Sequence, residues 1–86
     1  MAAPDPEVGR LKDLVDFIAR SLVEKTDEIE VKDVEEDGGL VLELIVAEED
    51  LGKIIGRQGR TARAIRTLLS AASAKMDRRV SLEILE

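Results

Sequence analysis

The amino-acid sequence predicts an α+β domain in the order helix, strand, strand, short helix, glycine loop, helix, strand. Three observations carry this. Apolar residues recur at helical spacing between Leu11 and Leu22, a nearly unbroken apolar run Leu40–Val46 follows a Glu36-Asp37-Gly38-Gly39 turn, and Gly56-Arg57-Gln58-Gly59 opens into a second helical run at Arg60. A chain of 86 residues holds one domain with a single modest core.

Each element has its own signal. Residues 1–7 contain Pro4 and Pro6 and are expected to be a flexible lead-in, with the domain proper spanning 8–86. Leu11, Leu14, Val15, Ile18 and Leu22 form the apolar stripe of the first helix, with Arg10, Lys12, Asp13, Asp16, Arg20 and Glu24 on the other sides. Phe17, the single aromatic residue, falls toward the edge of that stripe and suits either a partly buried position or a partner contact. Ile29, Val31 and Val34 alternate with Glu30 and Lys32 as a short strand whose pattern fails at Asp33. Asp37-Gly38-Gly39 can supply the positive φ values of a tight hairpin, and 40–46 is then the central strand.

Glu48-Glu49-Asp50 places carboxylates at the positive end of a short helix running through Leu51 and Ile55. Three consecutive carboxylates on a helix cannot converge on one ion, so no metal site is expected there. The second long helix runs from Arg60 to about Met76, with Ile65, Leu68, Leu69, Ala72 and Met76 as its buried stripe and Arg60, Arg63 and Arg66 on the other side. Val80, Leu82 and Ile84 alternate with Ser81 and Glu83 as the closing strand.

The glycine loop carries the chemistry. Glycines at 56 and 59 let backbone approach an anionic chain, Arg57 and Gln58 offer a cation and an amide, and a helix start nearby adds its dipole. By spacing alone, the same four residues also fit a glycine cap followed by a tight connection between helices. No Gly-Lys-Ser/Thr closes a nucleotide loop and no Gly-x-Gly-x-x-Gly marks a dinucleotide site. The net charge of -6 argues against nucleic acid until it is divided along the chain. Residues 1–50 carry 5 basic and 16 acidic side chains, whereas 51–79 carry 8 basic and 1 acidic. Cations therefore concentrate around the loop, although Lys75, Arg78 and Arg79 lie far from it in sequence and fit ordinary solvated charge.

The segment Gly52-Lys53-Ile54-Ile55-Gly56-Arg57-Gln58-Gly59-Arg60-Thr61-Ala62-Arg63-Ala64-Ile65-Arg66-Thr67-Leu68 resembles the bacterial KhpA-type family, short proteins that are little more than one K homology (KH) domain. The resemblance runs through most of the chain. The element order read from periodicity is also that of a type II KH domain, α-β-β-α-α-β, which implies a three-stranded sheet with helices packed on one face. A departure is Ala62, where many KH domains carry a bulky aliphatic residue, so the floor of the groove is expected to be shallower or differently filled.

The resemblance implies a groove for about four nucleotides of single-stranded RNA and a role in post-transcriptional regulation. The residues expected to line it are Lys53, Ile54, Ile55, Gly56, Arg57, Gln58, Gly59, Arg60, Ala62 and Arg63, although Ile54 and Ile55 cannot both face a ligand. It also implies pairing, as a homodimer or with a larger KH protein of the Jag type. Ala64, Leu68 and Ala71, which widen the apolar arc of the second long helix, are the candidate surface. A module that binds only protein is the competing reading. An enzyme is not expected, since the chain lacks His and Cys and Thr61 has no identifiable basic partner. No cofactor, small-molecule substrate or membrane span is expected, and a polar N-terminus without Cys elsewhere suits the cytoplasm.

Overall fold

The computed structural model describes residues 5–86, so the first four residues of the expected lead-in lie outside it. Helix α1 is Pro6–Leu22, strands β1 and β2 are Glu30–Glu36 and Gly39–Ile45, helices α2 and α3 are Leu51–Ile55 and Arg60–Ala72, and β3 is Val80–Ile84. The order is α-β-β-α-α-β, as the sequence predicts. Single helical turns at Thr26–Glu28, Glu48–Asp50 and Arg57–Gly59 join the elements.

Pro6 does not block the first helix but starts it. A helix's first residues need no N–H donor, so proline is accommodated there, and the carboxylate of Asp5 accepts the Glu7 amide at 2.9 Å as the cap. The buried face of α1 is Val8, Leu11, Val15 and Ala19. Phe17 is 69% exposed, because nine residues beyond Val8 turn the helix by about two and a half revolutions, onto the opposite side. Leu22 keeps the phase of the buried face but, as the last helical residue, is also exposed.

Asp37 and Gly38, with φ of 51° and 78°, make a two-residue turn that pairs Glu36 with Gly39. From there β1 pairs with β2 along its whole length, antiparallel, from Glu36↔Gly39 to Glu30↔Ile45. The strand continues past Asp33 despite the broken alternation, because its register puts Val31, Asp33 and Glu35 on the same face as Leu44, Leu42 and Leu40. Asp33 and Glu35 meet Lys12 at 2.8 Å and Arg78 at 2.7 Å. Inward-pointing charge of this kind discourages an edge strand from pairing with another chain.

Strand β2 is central, with β1 on one side and β3, parallel to it, on the other. A parallel neighbour requires a crossover, and α2, the glycine loop and α3 are that crossover. Leu40, Leu42 and Leu44 are almost completely buried against the helices, joined by Val15, Ile54, Ile65, Leu69 and Leu82 in one core. Helix α3 buries only Ala62, Ile65 and Leu69 and ends at Ala72, where Ser73 takes over the cap. Leu68, expected in the buried stripe, is 54% exposed: it lies on the flank of a stripe narrower than the sequence suggests. Met76 lies beyond the helix and is still packed against the core.

Candidate nucleic-acid interface

The loop is built from two unlike glycines. Gly56 ends α2 with φ 75° and ψ 172°, a combination open essentially to glycine alone, and a Cβ there would lie 2.2 Å from Oγ1 of Thr61. Gly59 precedes α3 in the left-handed region at φ 74° and ψ 14°, and a Cβ there would meet nothing closer than 4.0 Å. Between them Gln58 also has positive φ, 57°. The turn is closed by the Gly59 amide donating to the Gly56 carbonyl at 3.1 Å and the Arg60 amide donating to that of Arg57. Arg57 and Gln58 thus stand exposed on a tip whose backbone is held from within.

The expected site residues divide by position. Ile54 is fully buried beneath the loop and Ile55 half-buried, which resolves which of the pair is core. Ala62 is 4% exposed, packed under the start of α3. Arg57 and Arg60 are exposed and, among the described residues, have no ion pair or side-chain hydrogen bond. The other cations are engaged. Arg63 donates to the Gln58 carbonyl at 2.9 Å, and Arg66 reaches the Leu82 carbonyl of β3 at 3.4 Å, long for a hydrogen bond. Lys53 lies 3.2 Å from Asp50 and 3.6 Å from Glu24; the hydrogen bond it donates to the Asp50 carboxylate is the main reason its ammonium is held above the usual lysine range.

Asp50 does more than start a helix. Its carboxylate is 2% exposed and accepts the Lys25 amide at 2.9 Å, the Glu24 amide at 3.3 Å and the Lys53 ammonium. The backbone bond from Lys25, foremost, holds its pKa below the ordinary value. Lys25 in turn binds Glu49 through its side chain. These contacts tie the residues following α1 to the start of α2. The sequence signals carboxylates before a helix, but their partners lie some 25 residues away and leave no local pattern.

The edges of the site are shaped by α3. Ala64, Leu68 and Ala71 are all exposed on one flank, while Arg66 leans to the other, toward β3. Among the described residues no group of three or more carboxylates could hold a metal ion, and no helix is long and apolar enough to cross a membrane.

Comparison with known proteins agrees with this architecture. The family model for the KhpA/KhpB KH domain matches residues 12–84. A Borreliella burgdorferi protein named RNA-binding protein KhpA is 54% identical over 93% of this chain and 98% of its own length. Proteins of the same name are 49% identical in Clostridium acetobutylicum, over 87% of this chain and all of theirs, and 49% identical in Aquifex aeolicus, over 92% of this chain and all of theirs. A crystal structure of Aquifex aeolicus Era bound to GDP and aluminium fluoride superposes with a TM-score of 0.62 at 25% identity, covering 98% of this chain and 31% of that one. With the family model spanning nearly the whole chain and full-length relatives at about half identity, this protein belongs to the KhpA/KhpB family of KH domains.

Proposed function

We propose that this protein binds short single-stranded RNA along the loop between α2 and α3. The observation that carries the reading is the pair of unpartnered, exposed arginines, Arg57 and Arg60, set on a loop whose glycines leave its backbone bare. The relatives' printed name, RNA-binding protein, supports it. In this reading Gly56 and Gly59 admit the sugar-phosphate chain, Arg57, Gln58 and Arg60 contact it, Lys53 adds charge to the rim, and Arg63 is bonded to the loop's own backbone. Ile55 offers an apolar edge to a base, while Ile54 and Ala62 support the loop from beneath. With no Trp or Tyr, and Phe17 on the far side of α1, affinity comes from backbone and charge rather than from stacking. The activity needs neither catalysis nor a cofactor, and RNA is met in the cytoplasm.

Replacing Arg57 and Gln58 together with Asp keeps both glycines while removing one cation and adding two anions. Affinity for single-stranded RNA should fall about a hundredfold with the melting temperature unchanged, because both side chains are exposed. Undiminished binding by a folded double variant would reduce the loop to a turn.

A second activity is favoured by the exposure of Leu68, 54% accessible between Ala64 and Ala71. Small residues on either side of a leucine permit close helix approach, so this flank suits self-association or pairing with a larger KH protein of the Jag type.

A further inference from the structure

We propose that Arg63 is a positioning residue that holds the glycine loop in shape, rather than a contact to the nucleic acid. The proposal rests on the RNA-binding reading above and concerns how its loop is kept ready. Gln58 is the one non-glycine of the loop in the left-handed region, a conformation that L side chains resist and that persists where neighbours hold it. Its carbonyl oxygen accepts a hydrogen bond from Arg63 at 2.9 Å.

Helix geometry explains the reach. Side chains of a helix point back toward its N-terminus, and Arg63 sits one turn after Gly59, so its guanidinium lies over the residues that lead into α3. The guanidinium passes beside Gly59, where a Cβ would lie 4.0 Å from its nearer nitrogen. Neither neighbour on the same arginine row does this. Arg66 turns toward the Leu82 carbonyl of β3, and Arg60 has no partner among the described residues. The guanidinium fixes the loop's carbonyl, and the loop's own amide bonds, from Gly59 to Gly56 and from Arg60 to Arg57, close beneath it.

A phosphate contact and a positioning contact differ in salt dependence. Binding of a short fluorescent oligouridylate is measured across a salt series for the parent, Arg63→Ala and Arg57→Ala, alongside hydrogen exchange at the Gly59 and Arg60 amides. Arg57→Ala, losing a phosphate contact, should flatten the slope of log K against log salt by about 0.7. Arg63→Ala should lower affinity several-fold with the parental slope retained, and exchange at the two amides should quicken about tenfold while β2 amides are unchanged. A slope flattened as in Arg57→Ala, loop exchange at the parental rate, or unchanged affinity would each overturn the assignment. If the parent itself fails to bind the oligouridylate, the RNA reading fails, and the exchange rates still decide whether Arg63 holds the loop.

Discussion

Gly56 and Gly59 look alike in sequence, yet they serve different physical needs. Gly56 combines a glycine-only backbone conformation with a missing Cβ that would otherwise strike Thr61. Gly59 needs only the left-handed region and has open space around it. Gly56→Ala should therefore lose about 2–4 kcal/mol of stability and Gly59→Ala about 1 kcal/mol, read from urea unfolding midpoints. Equal losses would mean that the loop shifts away from Thr61 at little cost. Asp50 makes a second residue-scale case. Its pKa is lowered in the fold, chiefly by the Lys25 amide, so its stabilising contribution is present above the unfolded value and is lost as pH falls through the folded one. Asp50→Asn should melt below the parent at neutral pH, and the gap should narrow only below about pH 4, near the unfolded pKa of Asp. The need for glycine at both loop positions was legible in the residues themselves. The role of Asp50 was not, because its donors come from the end of α1 through tertiary packing.

At the scale of elements, α1 and α3 show how far periodicity reaches. The presence and approximate length of both helices follow from the spacing of their aliphatic residues. Which apolar residues lie on the flank depends on how closely each helix lies against the sheet. Leu68 is exposed for this reason, whereas Phe17 is exposed by helical phase alone, and the core takes smaller residues, Ala19 and Ala62, where a helix comes close. Because Leu68 contributes little to the core, Leu68→Glu should stay folded by circular dichroism, and sedimentation should show a shift toward monomer if α3 is the association surface. A folded variant with parental association would move the surface elsewhere, with Phe17 next to be tested. Strand β1 gives the converse lesson: its alternation breaks at Asp33, yet pairing with β2 carries it through to Glu36. Lys12 and Arg78 meet the carboxylates that a strand pattern would not allow.

For the whole molecule, the division of charge matters more than its total. A net charge of -6 would repel nucleic acid if it were spread evenly, but 16 of the 19 acidic residues precede Leu51 and 8 of the 13 basic ones lie between Leu51 and Arg79. The fold then reduces the number of available cations near the loop, since Lys53 is paired with Asp50 and Glu24 and Arg63 is bonded to Gln58. An interface with few free cations gains little from a duplex backbone and depends on reaching unpaired base edges. Anisotropy should accordingly show tighter binding to a single-stranded oligonucleotide than to its annealed duplex. Equal or tighter duplex binding would refute a groove mechanism.

The elements, their order, the hairpin turn and the glycine loop were legible in the chain alone, because each depends on interactions within a few residues: helical and strand periodicity, and backbone angles that only certain residues adopt. Packing of the folded chain is what makes Asp50 a buried anchor for the Glu24 and Lys25 amides, draws Lys53 toward Glu24 as well as Asp50, and leaves Leu68 facing outward. The contacts to Glu24 and Lys25 join groups 25 or more residues apart that the packing of α1 brings within reach, a distance no local pattern records, whereas the Arg63–Gln58 bond spans only five residues and follows from helix geometry.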